Sequence, residues 1–454
     1  MSIVVRFAPS PTGFIHVGNL RAALLNYLFA LKYKGSFILR VDDTDTERSE
    51  ARFEAAIKED LSWLGLTYDI TFNQSHRFER YAEAAEYLKT IGRLYPCYET
   101  QDELDFLRKR QLSQGKPPIY NRQALALTEA DKEKFTAEGR VPHWRFKLVE
   151  DETTWQDLIR GHVSFKGLFA SDPVLIREDG VPLYTLPSVV DDMDYGITHI
   201  IRGEDHVTNT AVQIQLLHAL KGLSGVKLDH MTYAHFSLII DADGQGFSKR
   251  AGSLSISTLR QAGIEPMAIH SLLGKLGTSD PMEPRHSLDD LAADLDFNRF
   301  SRSAPKFSLE DLYKMNAKYL HSLPFDEVLP RLKSILPDVT AEFWCAVGGN
   351  VNHLSELPYW WDVCRGSIVP VVEDADKAFI LKALETLPDD TWNENTWLTW
   401  TNTLKDVTHR KGKELFMPLR LALTGKPHGP EMKAFLPLIK PEIVRRRLAE
   451  SIEK

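Results

Sequence analysis

Between Ile3 and Leu64 the chain runs twice from a short apolar strand into a helix with one apolar face. Ile3 to Phe7 is the first strand-like run, and Pro9, Pro11 and Gly13 break it into a loop. Leu20, Ala23, Leu24, Tyr27, Leu28 and Leu31 then recur at helical spacing. Gly35 ends that helix and Ser36 to Val41 reads as a second strand. The acidic turn Asp42, Asp43, Thr44, Asp45 leads into a second helix marked by Phe53, Ile57, Leu61 and Leu64. Such alternation predicts a parallel sheet with helices packed on it, a layout in which ligands bind at the carboxyl ends of the strands. The chain has 454 residues, and at roughly 150 residues per domain it has room for about three domains.

Lys and Arg number 55 against 63 Asp and Glu, a net charge of −8 that excludes a uniformly basic nucleic-acid binder. Hydrophobic residues make up 43% and charged residues 26%, which fits neither a disordered chain nor a membrane protein. No apolar run reaches the roughly 18 residues of a membrane span. Met1 to Arg6 reads as a first strand rather than a signal peptide. Cys97, Cys345 and Cys364 are scattered and odd in number, which points to a reducing compartment, the cytoplasm. Charge is uneven along the chain: residues 401–450 hold 11 Lys and Arg against 5 Asp and Glu, including Arg445, Arg446 and Arg447. A basic region on an acidic protein suits a polyanion bound on one face and released, with an affinity that falls as salt rises.

Two loops have the make-up of a nucleotide site. In the first, Arg6 to Asn19, His16 and Gly18 stand at the start of the long helix, where free N–H groups and the positive dipole end attract phosphate. An imidazole there can stabilise charge building on a phosphate oxygen, and Gly18 lets a flat base approach the backbone. A histidine that only caps the helix would carry the same His-x-Gly pattern. In the second loop, Gly244 to Ser253, the adjacent cations Lys249 and Arg250 sit among glycines, as closure over a polyphosphate requires. A solvated surface loop would look similar.

Together and in this order, His16-Val17-Gly18-Asn19 and Phe247-Ser248-Lys249-Arg250 resemble the two signature loops of class I aminoacyl-tRNA synthetases. The runs RFAPSPTGFIHVGNLRAAL, LRVDDTDTERS, YTLPSVVDDMDYGITHIIRGEDH and FSKRAGSLSI look like those of bacterial glutamyl-tRNA synthetases. DLYKMNAKYLHSL and, more weakly, GKELFMPLRLALTG extend the likeness over nearly the whole chain. The resemblance implies a Rossmann-type α/β class I catalytic domain with an α+β insertion, followed by an all-α anticodon-binding region. The expected divisions are 1–84 and 188–240 for the halves of the catalytic domain and 85–187 for the inserted acceptor-binding domain. Residues 241–315 would form a stem-contact domain carrying the closing loop, and 316–454 the helical anticodon-binding domain.

The implied reaction has two steps. Glutamate's carboxylate attacks the α-phosphorus of ATP, accompanied by Mg²⁺, and the 3′-terminal adenosine of tRNA then takes the glutamyl group from the adenylate. By resemblance, His16 and Lys249 are the catalytic residues. ATP would be held by His16, Gly18, Asn19, Asp205, Lys249 and Arg250, and glutamate by Arg6, Ala8, Ser10, Asp42, Tyr184, Ser188 and Arg202. A carboxylate is chosen over its isosteric amide only by fixed positive charge, best supplied by arginine, and Arg6 and Arg202 are the matching positions. Asp42 would serve the substrate's ammonium group.

The chain departs from the family at two of these places. Asp42 stands where most members have glutamate, and Gly246 where the closing loop generally begins with lysine. Thr44 and Asp45 are expected only to cap a helix. The Cys-x-Cys pair of zinc-binding members is replaced by Cys97-Tyr98-Glu99, followed by Tyr120, so no structural zinc is expected and Cys97 reads as a buried thiol. The carboxylates of the acidic turn are not expected to form a metal site either. Tyr359-Trp360-Trp361 reads as core rather than as a base-stacking platform. The implied partners are tRNA, L-glutamate and ATP, with no membrane, acting on a monomer. Three alternatives stay open: a tRNA-binding paralogue that does not activate glutamate, a small-molecule nucleotidyltransferase, and a glutamate enzyme acting on tRNA for glutamine.

Overall fold

A computed structural model of the chain describes residues 2–224, 231–241, 243–244, 255–366, 368–389 and 392–453. The predicted alternation opens it, as β1 (Val4–Phe7), α1 (Val17–Lys32), β2 (Ser36–Val41), α2 (Ala51–Trp63) and β3 (Ile70–Asn73). The chain continues through α3 (Phe78–Thr90), β4 (Leu94–Cys97), α4 (Gln101–Ser113), α5 (Glu129–Ala137), β5 (His143–Phe146), β6 (Thr153–Asp157), β7 (Gly161–Phe165) and β8 (Val174–Ile176). Then come α6 (Thr185–Asp194), β9 (His199–Gly203), α7 (Val207–Ser224) and β10 (Thr232–Phe236).

Strands β1, β2 and β3 pair in parallel in that order, and β7, β6, β10 and β9 form a second ladder that is parallel except for β7. The two meet where Thr198 N–H donates to the Val4 carbonyl at 2.9 Å, giving the order β3-β2-β1-β9-β10-β6-β7. Strand order therefore reverses between β1 and β9, and the crevice at such a reversal is where open α/β sheets bind ligands. Helix α1 packs there, and its predicted apolar face is buried apart from the half-buried Tyr27 and Leu31. It is enclosed on other sides too: Arg21 donates to the carbonyls of Ser237 (2.8 Å) and Leu276 (2.5 Å), and Asn26 to that of Ile201 (2.8 Å). Helix α6 is buried from Leu186 to Met193, Asp191 and Asp192 included.

Strands β6 and β7 lie within the segment 85–187 that sequence sets apart as an insertion, yet they pair into the large sheet. The small antiparallel sheet β4-β5-β8 is the part that stands aside from it. Alternation in β6, with Thr153, Trp155 and Asp157 facing inward, reads the same whichever sheet covers it. Trp155 stacks on Phe165 and meets Tyr233 edge-on, and these contacts fix its place.

The chain divides into two compact units, residues 1–258 with 270–308 and residues 259–269 with 309–454. The second unit is helical among its described residues, around Phe343, Trp400 and Phe435. Trp360 is core, edge-on to Phe435 with centroids 5.7 Å apart. Gly429 (φ +149°) passes so close to that indole that a Cβ would enter the ring. The arginine cluster is less of a basic face than its sequence suggests. Arg447 is turned inward onto the carbonyls of Leu423 and Val363 (both 2.7 Å), and Arg445 pairs with Asp389. No helix among the described residues is long and apolar enough to cross a membrane.

Trp400 has no exposed surface and donates its indole N–H to the Ala383 carbonyl at 3.1 Å. Trp400→Ala is expected to cost about 3–5 kcal/mol, read as a lower urea midpoint of the transition that includes this unit.

Candidate active site

Loop residues Ala8 to His16 join β1 to α1. His16, in extended conformation, is the N-cap of α1, and its Nδ1 accepts from the Gly18 N–H at 3.0 Å. That bond leaves the ring proton of the neutral imidazole on Nε2. Burial lowers the pKa of His16 and so favours this neutral form. Capping and function therefore do not compete, since the cap sets the tautomer that makes Nε2 a donor. A Cβ at Gly18 would come 2.9 Å from His16 Cε1, so glycine is needed here first to leave the imidazole in place. The first turn of α1 carries no acidic side chain to compete for its N–H groups. Asn19 and Ser10 are exposed beside it, and Ala8 is half-buried.

Beneath the loop lies a floor of buried charge. Arg40 of β2 donates to both oxygens of Asp42 (2.7 and 3.2 Å) and to Asp192 Oδ1 (2.9 Å), and its Nη2 reaches Ser188 Oγ at 3.4 Å. Arg6 of β1 donates to the same Asp192 oxygen at 3.1 Å. Asp191, next along α6, accepts from Gln74 and Arg77, both at 2.8 Å, and from Tyr81. Burial pushes Asp42 up to about 6 even with Arg40 holding its charged form. Arg6, Asp42 and Ser188 were named from sequence, whereas Arg40, Asp191 and Asp192 were not. The signal for those was present: an arginine inside an apolar strand, and paired aspartates set between the apolar residues Val190 and Met193 of one helix.

Arg202, at the end of β9, differs from Arg6 and Arg40. It is 6% exposed, and among the described residues no carboxylate lies within ion-pair distance of it. Its Nη2 donates to Thr210 (2.5 Å) and Gln213 (2.7 Å), its Nη1 to the Tyr184 hydroxyl (3.2 Å) and its Nε to His235 Nε2 (3.4 Å). Every partner is neutral, and burial lowers its pKa. Of five N–H groups one, on Nη1, is left over beside the half-exposed Tyr184. A buried, fixed positive charge with a spare donor and no counter-ion is suited to an anionic ligand.

Asp205 is exposed, its Oδ2 3.7 Å from His206 Nε2. Gly246, Lys249 and Arg250 lie outside the described residues. The acidic turn does not cap α2, because Glu50 is the N-cap residue and makes no side-chain bond there. Asp45 instead accepts from the Arg48 N–H at 3.3 Å, closing the turn before the helix begins, and Asp43 holds Ser75 (2.7 Å) and Asn73 (2.9 Å). Cys97 is buried and its thiol is pushed up to about 12 by burial. Donor atoms of Cys97, Glu99 and His143 lie within 4.8 Å of one another. Three donors, one of them Glu99 already accepting from Tyr120 at 2.6 Å, fall short of the four ligands that a closed tetrahedral zinc site takes.

Residues 2–314 match the family model described as tRNA synthetases class I (E and Q), catalytic domain, and residues 373–452 match that of an anticodon binding domain. The chain is 54% identical over 440 residues to glutamate-tRNA ligase 2 of Beijerinckia indica, covering 96% of each chain. It is 52% identical over 447 residues to glutamate-tRNA ligase 1 of Parvibaculum lavamentivorans, covering 98% of each. Among solved structures, a glutamate tRNA ligase from Elizabethkingia meningosepticum in complex with its amino acid superposes over 100% of both chains, with a TM-score of 0.84 at 26% identity.

Arg40 is the hub of the buried floor. Arg40→Met leaves Asp42, Asp191 and Asp192 short of positive charge and is expected to cost about 3–5 kcal/mol at pH 8. Carboxyls whose folded pKa is raised bind more protons folded than unfolded, so lowering the pH favours the fold. The loss, measured by denaturant titration against the parent chain, should shrink at pH 5.

Proposed function

The chain belongs to the class I tRNA synthetases of the glutamate and glutamine family, and we propose that it joins L-glutamate to the 3′-terminal adenosine of tRNA at the expense of ATP. The observation that carries the choice of amino acid is Arg202, buried without a counter-ion. Glutamate's side-chain carboxylate answers that charge, whereas glutamine's amide would leave a buried cation facing a neutral group.

The residues divide the work by charge. Arg202 and Tyr184 take the side-chain carboxylate. Arg6, already shared with Asp192, adds positive potential without being free to form a second full ion pair. Asp42 receives the ammonium group, and Ser10 and Ala8 border it on the loop. Ser188 Oγ, on Arg40, holds the floor beneath. At the nucleotide end the α1 N-terminus, Gly18 and Asn19 receive ATP, and Asp205 is an exposed acceptor for its sugar or base. Nε2–H of His16 donates to the α-phosphate oxygen as charge builds there. Lys249 and Arg250 follow the departing pyrophosphate. Mg²⁺, when bound, neutralises phosphate charge. The protein positions and neutralises while the carboxylate attacks phosphorus, and the tRNA ribose hydroxyl then attacks the carbonyl carbon of the mixed anhydride, breaking its bond to phosphate and releasing AMP.

Charging with labelled glutamate tests the reading, using tRNA for glutamate and tRNA for glutamine as separate substrates. Acid-precipitable glutamate is expected on the first, and its absence from both pools with folded enzyme would overturn the assignment. Arg202→Ala is expected to raise the KM for glutamate about 100-fold, the scale of a lost charge-assisted bond in a dry site, with the KM for ATP little changed. Because protonated Asp42 is neutral and cannot hold an ammonium group, the glutamate KM should also climb as pH falls through about 6. Steady-state kinetics from pH 5 to 8 should show that limb in the parent enzyme and lose it in Asp42→Asn.

A further inference from the structure

Behind Arg202 lies a buried relay that the reaction itself does not use. His235 is the registered neighbour of Arg202 on the adjacent parallel strand, β10. Its ring has no exposed surface. Nδ1 lies 2.5 Å from Asp157 Oδ2, while Nε2 faces the Thr210 hydroxyl at 2.9 Å and Arg202 Nε at 3.4 Å. Asp157 ends β6, beside β10. Its Oδ1 accepts three backbone N–H groups, from Ile159, Arg160 (both 3.0 Å) and His235 (3.1 Å), and its Oδ2 also accepts the Trp155 indole N–H at 3.3 Å. We propose that Asp157 and His235 are positioning residues for amino-acid selection: Asp157 keeps the imidazole proton on Nδ1, so that Nε2 is an acceptor that aims the Arg202 guanidinium at the substrate carboxylate.

The tautomer is what makes this more than packing. Ionised Asp157 has only lone pairs to offer, so the proton between it and Nδ1 belongs to the ring. Burial would raise the Asp157 pKa, but bonds from His235 and the Arg160 N–H hold it down at about 2. With Nδ1 protonated in a neutral ring, Nε2 has a lone pair for Thr210 and the Nε edge of Arg202. A proton on Nε2 would meet the Arg202 N–H head-on. Arg202 also has Thr210 and Gln213 on Nη2, so three neutral acceptors fix the back and one side of its fork. Only the Nη1 edge beside Tyr184 is left for the ligand.

The proposal rests on the reading of Arg202 as the carboxylate-binding residue, and the test separates the two. Asp157→Asn keeps an oxygen for the three backbone donors and places an amide NH₂ opposite Nδ1, which forces the proton onto Nε2. The full-length enzyme should then show a glutamate KM raised about 10- to 100-fold, the scale of losing a residue that orients a binding group. The KM for ATP should move little, and the melting temperature should fall no further than in His235→Gln, which disturbs the same buried pair. His235→Gln replaces the ring with an amide that has no tautomer to lose, so the Asp157→Asn/His235→Gln double variant should be no worse than His235→Gln alone. Arg202→Ala is measured in parallel. If it leaves the glutamate KM unchanged, the reading of Arg202 falls and this proposal with it. If Arg202→Ala raises that KM and Asp157→Asn does not, the positioning role alone is overturned. A loss spread over both KM values and the melting temperature, or additive effects in the double variant, overturns it in favour of a merely structural pair.

Discussion

A guanidinium sealed from water stays charged, so its surroundings must either answer the charge or leave it seeking an anion. Three arginines at the carboxyl ends of β1, β2 and β9 meet this constraint in different ways. Arg40 is answered by Asp42 and Asp192, and Arg6 by Asp192 alone. Arg202 is surrounded by neutral acceptors. The burial of α6 follows from this arrangement: Asp192 reaches Arg6 and Arg40 only because the helix lies directly against the ends of the strands. Asp191, one residue earlier, faces another way and ties Gln74, Arg77 and Tyr81 to the same floor.

In the assignment proposed above, the two ends of the site use different physics. At the nucleotide end the backbone does most of the work, through a helix start free of carboxylates and a histidine whose tautomer is set by a main-chain N–H. At the proposed amino-acid end, selection would depend on side-chain charge held in a dry interior, where an uncompensated unit is worth far more than at the surface. A loop can serve the first task with modest precision. The second needs strands, since the fork of an arginine must be held within a few tenths of an ångström.

Elements defined by local pattern were legible in the sequence. Ser36 to Val41 is a strand as its apolar run predicts, and the two helices read from the spacing of Leu20 to Leu31 and of Phe53 to Leu64 run from Val17 to Lys32 and from Ala51 to Trp63. His16, Gly18, Arg6 and Arg202 stood out because their neighbours carried a recognisable order. What sequence did not reveal is pairing across distance. Nothing local says that Asp157 lies beside His235, 78 positions on, or that β6 leaves its apparent domain to join the large sheet. Arg447 was legible as a charge and not as a buried one, because inward rotation depends on which face of its helix the rest of that unit covers.

The pairing of Arg202 with His235 is a matter of ladder register. Successive residues of a strand point to opposite faces, so adding or removing one residue within β9 or β10 would turn one of the two side chains away from the other. Loops that carry none of the proposed site residues can lengthen or shorten at little cost to substrate choice, but these two strands have no such freedom. Length variation in this enzyme should therefore be far better tolerated in those loops than inside the strand pair that we propose carries selection, whatever the side chains inserted.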